Sequence, residues 1–178
     1  MSERDVTDRP RSRSAYAPST ACLYVPAAAF DATFRLLQAA GCIEACVFWY
    51  GKRDGHDGLV TAVRAPAQHA TRFNYHVDEE AFSAMAATIA DDLRPLAQVH
   101  SHPGESVEHS GYDDVMIASH RTLSLVFPRF GRGVSLAKWH NHIGVHEWQG
   151  DYWHLLPAHL AHQRVVIGAG PLDVRDLR

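Results

Sequence analysis

At 178 residues the chain is long enough to bury the core of one domain without disulfides or structural metals, and a second domain is not expected. Seventeen Lys and Arg against 20 Asp and Glu give a formal charge of -3, which excludes a basic footprint for nucleic acid and an acidic interaction tail. Cys22, Cys42 and Cys46 are odd in number and lack C-x-x-C spacing, so they read as reduced, partly buried thiols of a cytoplasmic protein rather than as a disulfide framework or a cysteine zinc site.

The opening stretch, M-S-E-R-D-V-T-D-R-P-R-S-R-S, has no apolar segment that would serve as a signal peptide, and the longest apolar run, Ala45 to Tyr50, is far too short for a bilayer. No membrane association is expected. Residues 1–19 hold too little apolar content to offset ordering entropy and read as a flexible arm ahead of a domain over 20–178. Pro26 suits the first turn of a helix in which Phe30, Phe34 and Leu37 share a face, with Gly41 placed to end it. Ile43 to Tyr50 is nearly continuous in apolar and aromatic residues after Glu44. With Leu59 to Val63 beyond the turn-like D-G-H-D-G, it predicts two neighbouring strands. Asp78 is placed to cap a second helix, with Glu79 and Glu80 at its positive end and Phe82, Met85, Ile89 and Leu93 at helical spacing.

Pro95 restarts the chain as a strand over Leu96 to Ser101. Ser110 opens a short third helix expected to carry Val115, Met116 and Ser119 on one side, and strands follow at Leu123–Phe127, Ile143–Trp148 and Tyr152–Leu155, with Val165–Ile167 as a last edge. The pattern predicts an α/β fold of the α+β kind, with helices flanking a mixed central sheet. Pro128 to His142 is poorly patterned, as functional loops often are.

Chemistry concentrates in H-S-H-P-G-E-S-V-E-H-S-G-Y-D, residues 100–113. On a strand, His100 and His102 point to the same face, and Asp113 offers a hard oxygen. Two imidazoles and a carboxylate leave a fourth tetrahedral position for water, as in catalytic zinc sites. Each piece also has a plain structural reading. Thirteen histidines make chance H-x-H pairs easy, and His140 with His142 is another, read as surface residues. Ser110 and Asp113 form S-x-x-D ahead of apolar residues, a helix cap that needs no metal. A lone acid such as Glu44 is ordinarily a solvated strand end.

Together, Glu44, H-x-H-P at His100 to Pro103, seven residues, then S-x-x-D at Ser110 to Asp113 resemble the signature of the JAMM (MPN+) metalloproteases over roughly residues 21–130. A departure is Val47, where many relatives carry glycine. The resemblance implies a single MPN/JAB-like, cytidine-deaminase-like domain holding one Zn2+ ion with a bound water. His100, His102 and Asp113 would be its ligands, Ser110 would help hold the reacting oxygen and Glu44 would manage protons. It further implies a deubiquitinase-like isopeptidase or peptidase of prokaryotic type, whose partner is a ubiquitin-like protein or its conjugate, cleaved after the C-terminal tail in deconjugation or precursor processing. Such a tail can add as a strand to a sheet edge. Leu59–Val63 and the loop around Trp139 are candidate surfaces for it, although Trp139 itself reads better as an ordinary packing residue, and the segments Ala65–His76 and Gly131–His142 lie where relatives build substrate clamps.

Three other functions remain open. A metal-free MPN-type scaffold would only bind partners, a zinc peptidase of sulfur-carrier-type fusions would share the chemistry, and a thiol protease would use Cys46, which an apolar strand more often keeps inert.

Overall fold

The computed structural model describes residues 14–178. Strand β1, Leu23–Pro26, runs into helix α1, Ala27–Ala39, with Pro26 as the residue before the first turn rather than inside it. Ala29, Phe30, Thr33, Leu36 and Leu37 form the buried face of α1, and Gly41, at a φ of +81°, turns the chain out. Phe30 meets Trp49 edge-on at 5.2 Å, while the Trp49 indole N–H donates to Thr33 Oγ1 at 2.9 Å. One of the two fully buried tryptophans is thus packed and hydrogen-bonded by one helix face.

β2 (Cys46–Asp54) and β3 (Asp57–Ala65) form the expected hairpin, whose turn uses Gly55 at positive φ. The strand predicted from Ile43 begins only at Cys46, because the Glu44 N–H is drawn off to the Thr71 carbonyl at 2.8 Å. Beyond it come a small ladder, β4 (His69–Ala70) with β5 (Tyr75–His76), and helix α2, Glu79–Ala86. Asp78 caps α2 as expected, accepting from the Ala81 N–H at 2.8 Å. The helix stops at Ala86, so Ile89 and Leu93 reach the core from the turns that follow it.

β6 (Arg94–Ser101), helix α3 (Gly111–Met116), β7 (Leu123–Phe127), β8 (Gly144–Gln149) and β9 (Tyr152–Leu155) complete the motif half, and two 3-10 turns occupy 128–141. Helix α4 (Ala158–Arg164), β10 (Val165–Gly168) and β11 (Asp173–Asp176) end the described chain. The large sheet runs β10-β1-β3-β2-β6-β7-β8-β9, and β11 joins it on β3. It is mixed: β1 pairs in parallel with β3 and β10, β6 in parallel with β7, and the β3-β2-β6 and β7-β8-β9 ladders are antiparallel. One face packs on α1 through Val47, Trp49, Val63, Val99, Leu125 and Phe127. The other packs under α2 through Phe48, Tyr50, Ala62 and Met85, and carries the buried polar groups Gln98, His100 and Ser124.

Two expectations need correction. Val115 is 80% exposed, and the buried residue of α3 is Asp113, so a polar anchor rather than an apolar stripe holds this helix. Leu59–Val63 is not a free edge: β1 pairs at Gly58 and Leu59 and β11 from Ala62 onward. Trp139 is buried against Phe30, in keeping with its reading as an ordinary packing residue. Of the expected arm, residues 1–13 lie outside the described residues. Over 14–19 the Tyr16 hydroxyl donates to Glu147 Oε2 at 2.6 Å, and Ala17 exchanges backbone bonds with the Gln149 amide. Among the described residues no helix is long and apolar enough to cross a membrane.

Both ladders of β2 shift register around Tyr50 and Gly51. A Cβ at Gly51 would stand 1.9 Å from the Leu59 carbonyl oxygen and 2.8 Å from Leu96 Cδ1. Gly51→Ala is therefore expected to cost about 3 kcal/mol, the upper range for forced overpacking, measured as a lower urea midpoint.

Candidate metal centre

Antiparallel register assembles the site. Cys46 pairs with His100 at the end of the β2–β6 ladder, and Glu44 and His102 each lie two residues beyond that rung, near enough for their charges to act on one another. Outside the strands the two segments stay joined, with the Ser101 N–H donating to the Ala45 carbonyl at 3.1 Å and the Ala45 N–H to Ser101 Oγ at 3.2 Å. His100 projects from the end of β6 on the α2 face, and His102 follows after two residues. The loop from Pro103 then returns through α3 to bring Asp113 over both rings.

His100 Nε2 and His102 Nε2 face each other at 3.1 Å. Asp113 Oδ1 lies 3.3 Å from His100 Nε2, and Asp113 Oδ2 lies 3.3 Å from His102 Nε2. All three side chains are largely shielded from solvent, and they form a group able to hold a metal ion. The spacings suit one small cation. Ligands about 2.0–2.1 Å from one tetrahedral ion stand roughly 3.3–3.4 Å apart, close to the distances found. Two like ring nitrogens pointed at one another beside a carboxylate also form a donor set with a clear use for a cation.

The helix cap and the metal group share atoms. The Ser110 N–H and hydroxyl both donate to Asp113 Oδ2, at 2.6 and 2.7 Å, and Ser110 Oγ accepts from the Asp113 N–H at 3.2 Å. Reciprocal capping fixes the carboxylate and leaves Oδ1 facing His100, so the plain and functional readings of S-x-x-D describe one arrangement.

Electrostatics follow from burial and proximity. Burial opposes ionisation of Asp113, yet the charge and hydrogen bonds of His100 and His102 outweigh it and hold the carboxyl well below the usual range. Burial lowers His100, whose Nδ1 is enclosed without a hydrogen-bond partner among the described residues; a neutral ring is what a metal requires. For His102 burial is again the largest influence, but Asp113, Glu44 and the Ser106 carbonyl, 3.1 Å from Nδ1, raise it overall. Glu44 is only 3% exposed, and burial pushes its carboxyl up to about 8, with His102 pulling down and Asp113 pushing up.

The remaining sequence candidates separate from this group. His140 meets His162 edge-on at 4.9 Å and His142 is exposed, neither joining a ligand set. Cys46 is fully buried, and burial holds its thiol far above the ordinary value, which removes it as a nucleophile.

Sequence reasoning missed a buried histidine pair behind α3. His109 Nδ1 sits 2.9 Å from Asp114 Oδ1 and its Nε2 2.8 Å from Ser124 Oγ, while His146 stacks on the His109 ring at 3.7 Å and reaches the Val107 carbonyl at 2.8 Å. These contacts pin the segment between His102 and Asp113 to β7 and β8. Their signal was only polar residues at inward strand positions, Ser124 and His146, in otherwise apolar strands. His109→Leu is expected to weaken metal binding about 10- to 100-fold, as loss of ligand-supporting groups does elsewhere, read by competition with a chromophoric chelator.

A family model described as prokaryotic homologs of the JAB domain matches residues 26–149. Among solved structures, the solution structure of protein DSY2949 from Desulfitobacterium hafniense superposes with a TM-score of 0.56 at 14% identity, covering 84% of this chain and 94% of that one. At that identity the likeness establishes the fold. No curated protein matches the chain significantly.

Proposed function

The chain belongs to the family of prokaryotic homologs of the JAB domain, and from that membership and the ligand group we propose that it is a zinc-dependent isopeptidase or peptidase. The bond cleaved is the one following the C-terminal tail of a ubiquitin-like protein. The observation that carries this reading is the convergence of His100, His102 and Asp113 within 3.1 to 3.3 Å, with the buried acid Glu44 close enough to feel the charges of His102 and Asp113.

His100, His102 and Asp113 would hold the ion. When bound there, zinc supplies Lewis-acid polarisation of the scissile carbonyl and lowers the pKa of a coordinated water to about 7. Glu44 would take a proton from the attacking water and return it to the departing amine; burial alone lifts its carboxyl to about 8, and the charge of a cation held by His100, His102 and Asp113 would draw it back toward the ionised form a base needs. A lysine ε-amine leaves poorly without that proton. Ser110 has its hydroxyl on Asp113, which supports a role in fixing this ligand; to donate to the oxygen of a tetrahedral carbon the hydroxyl would have to turn from Asp113 Oδ2, which keeps the Ser110 N–H.

Family membership alone does not separate an enzyme from a scaffold, since some JAB members are non-catalytic. A complete ligand group with a buried acid beside it favours catalysis. Metal content should reach one zinc per chain, and precursor-type fusions should be cut after the modifier's tail. Full zinc occupancy with no cleavage of peptide-linked or lysine-linked conjugates would favour the scaffold.

A further inference from the structure

A second polar cavity lies at the other end of the sheet. Cys46, beside His100, begins β2 and Arg53 stands near its far end, on the order of 20 Å away at about 3.3 Å per residue. The cavity there measures about 230 Å³, and Arg53, Arg121 and Arg164 line it with His56, His120 and Trp148. Among the described residues Glu147 is the carboxylate in its wall, and both its oxygens are engaged. Oε1 accepts from Arg164 Nε and Nη2 at 3.1 and 3.0 Å, and Oε2 accepts from the Tyr16 hydroxyl. Arg53 Nη2 donates to the Arg121 carbonyl at 2.7 Å, and the Arg121 guanidinium has no acidic partner among the described residues.

We propose that this cavity binds a small phosphate-class oxyanion, inorganic phosphate or diphosphate, between Arg53, Arg121 and Arg164. Three guanidinium groups carried by different elements share one small space with one neutralising carboxylate, and an anion removes their mutual repulsion. That repulsion already shows in Arg53, which burial and then the charges of Arg164 and Arg121 lower from its usual value. Guanidinium forks match phosphate oxygens in pairs, and the bonds that hold Arg53 and Arg164 reduce the ordering cost of binding. The size favours the bare anion, being below the roughly 300 Å³ at which pockets begin to take drug-sized ligands. A nucleobase also finds no free aromatic face on the side of Trp148 that His120 covers, stacked at 3.7 Å and 9°. This site stands independently of the zinc chemistry.

Calorimetric titration of the zinc-loaded protein with phosphate and with diphosphate, at constant ionic strength against a chloride control, tests the assignment. Saturable binding is expected, weakened about tenfold or more by Arg121→Gln and by Arg53→Gln, in line with the worth of a charged hydrogen bond. Anion-free melting of each variant confirms that it is folded. Binding unchanged in both variants would place the anion elsewhere, as at the metal, and overturn the proposal. So would adenosine diphosphate binding more tightly than diphosphate, which would make the occupant a nucleotide.

Discussion

Glu44→Gln is expected to retain one zinc per chain and to lower turnover by about 10²- to 10⁴-fold, the usual worth of a positioned acid–base group. Gln has the shape of Glu and no transferable proton at the operating pH, so the substitution isolates proton handling from metal binding. Full occupancy by elemental analysis beside wild-type cleavage rates would remove Glu44 from its role. The same variant carries an opposite expectation for stability. Burial lifts Glu44 from 4.5 to about 8 in the folded chain, so between those values the folded state holds a proton that the unfolded state has released. Stability of the chelator-stripped protein should therefore fall as pH rises through that window, with a cost on the order of a few kcal/mol above it. Glu44→Gln should flatten this decline and make the metal-free protein more stable than wild type at pH 9, measured by urea unfolding. An unchanged pH profile would mean that Glu44 is solvated.

Asp113→Asn is expected to reduce metal affinity by about 10²-fold or more, since losing groups that merely support ligands costs 10- to 100-fold. Asn preserves much of the cap geometry while removing the charge that His100 and His102 face. If Asp113 served only to cap α3, its replacement would cost about 1 kcal/mol and leave zinc content unchanged. Elemental analysis and unfolding of one preparation separate the two. In wild type the depressed Asp113 carboxyl adds stability above its unfolded value that is lost as pH falls toward the folded one, opposite in direction to Glu44.

The legible parts of the fold were those with strong local patterns. Asp78 before two glutamates announced its cap, and D-G-H-D-G marked the hairpin. Elements defined by distant partners were hidden. β11 has four exposed residues, Asp173–Asp176, and exists because β3 offers it a parallel ladder. β1 is four residues long and merges into α1 at Pro26, where a sequence reading naturally favours helix. Val115 misled because it continues an apolar spacing, whereas α3 is held through Asp113.

For the site, His100, His102, Ser110 and Asp113 were legible because they lie within fourteen residues and keep a metal-like spacing. Glu44 entered through family resemblance alone, since only the pairing of β2 with β6 brings the segments that carry Glu44 and His102 together. His109 was indistinguishable from a surface histidine until its bonds to Asp114 and Ser124 and its stack on His146 appeared.

The most direct measurement incubates the zinc-loaded protein with ubiquitin-like proteins fused to a C-terminal peptide or linked to a lysine, and reads the products by mass spectrometry. Release is expected at the modifier's own C-terminus, lost on chelation and in Glu44→Gln, and restored to the chelated wild type by zinc. Cleavage that persists in chelator, or equal cleavage by Glu44→Gln, would contradict it.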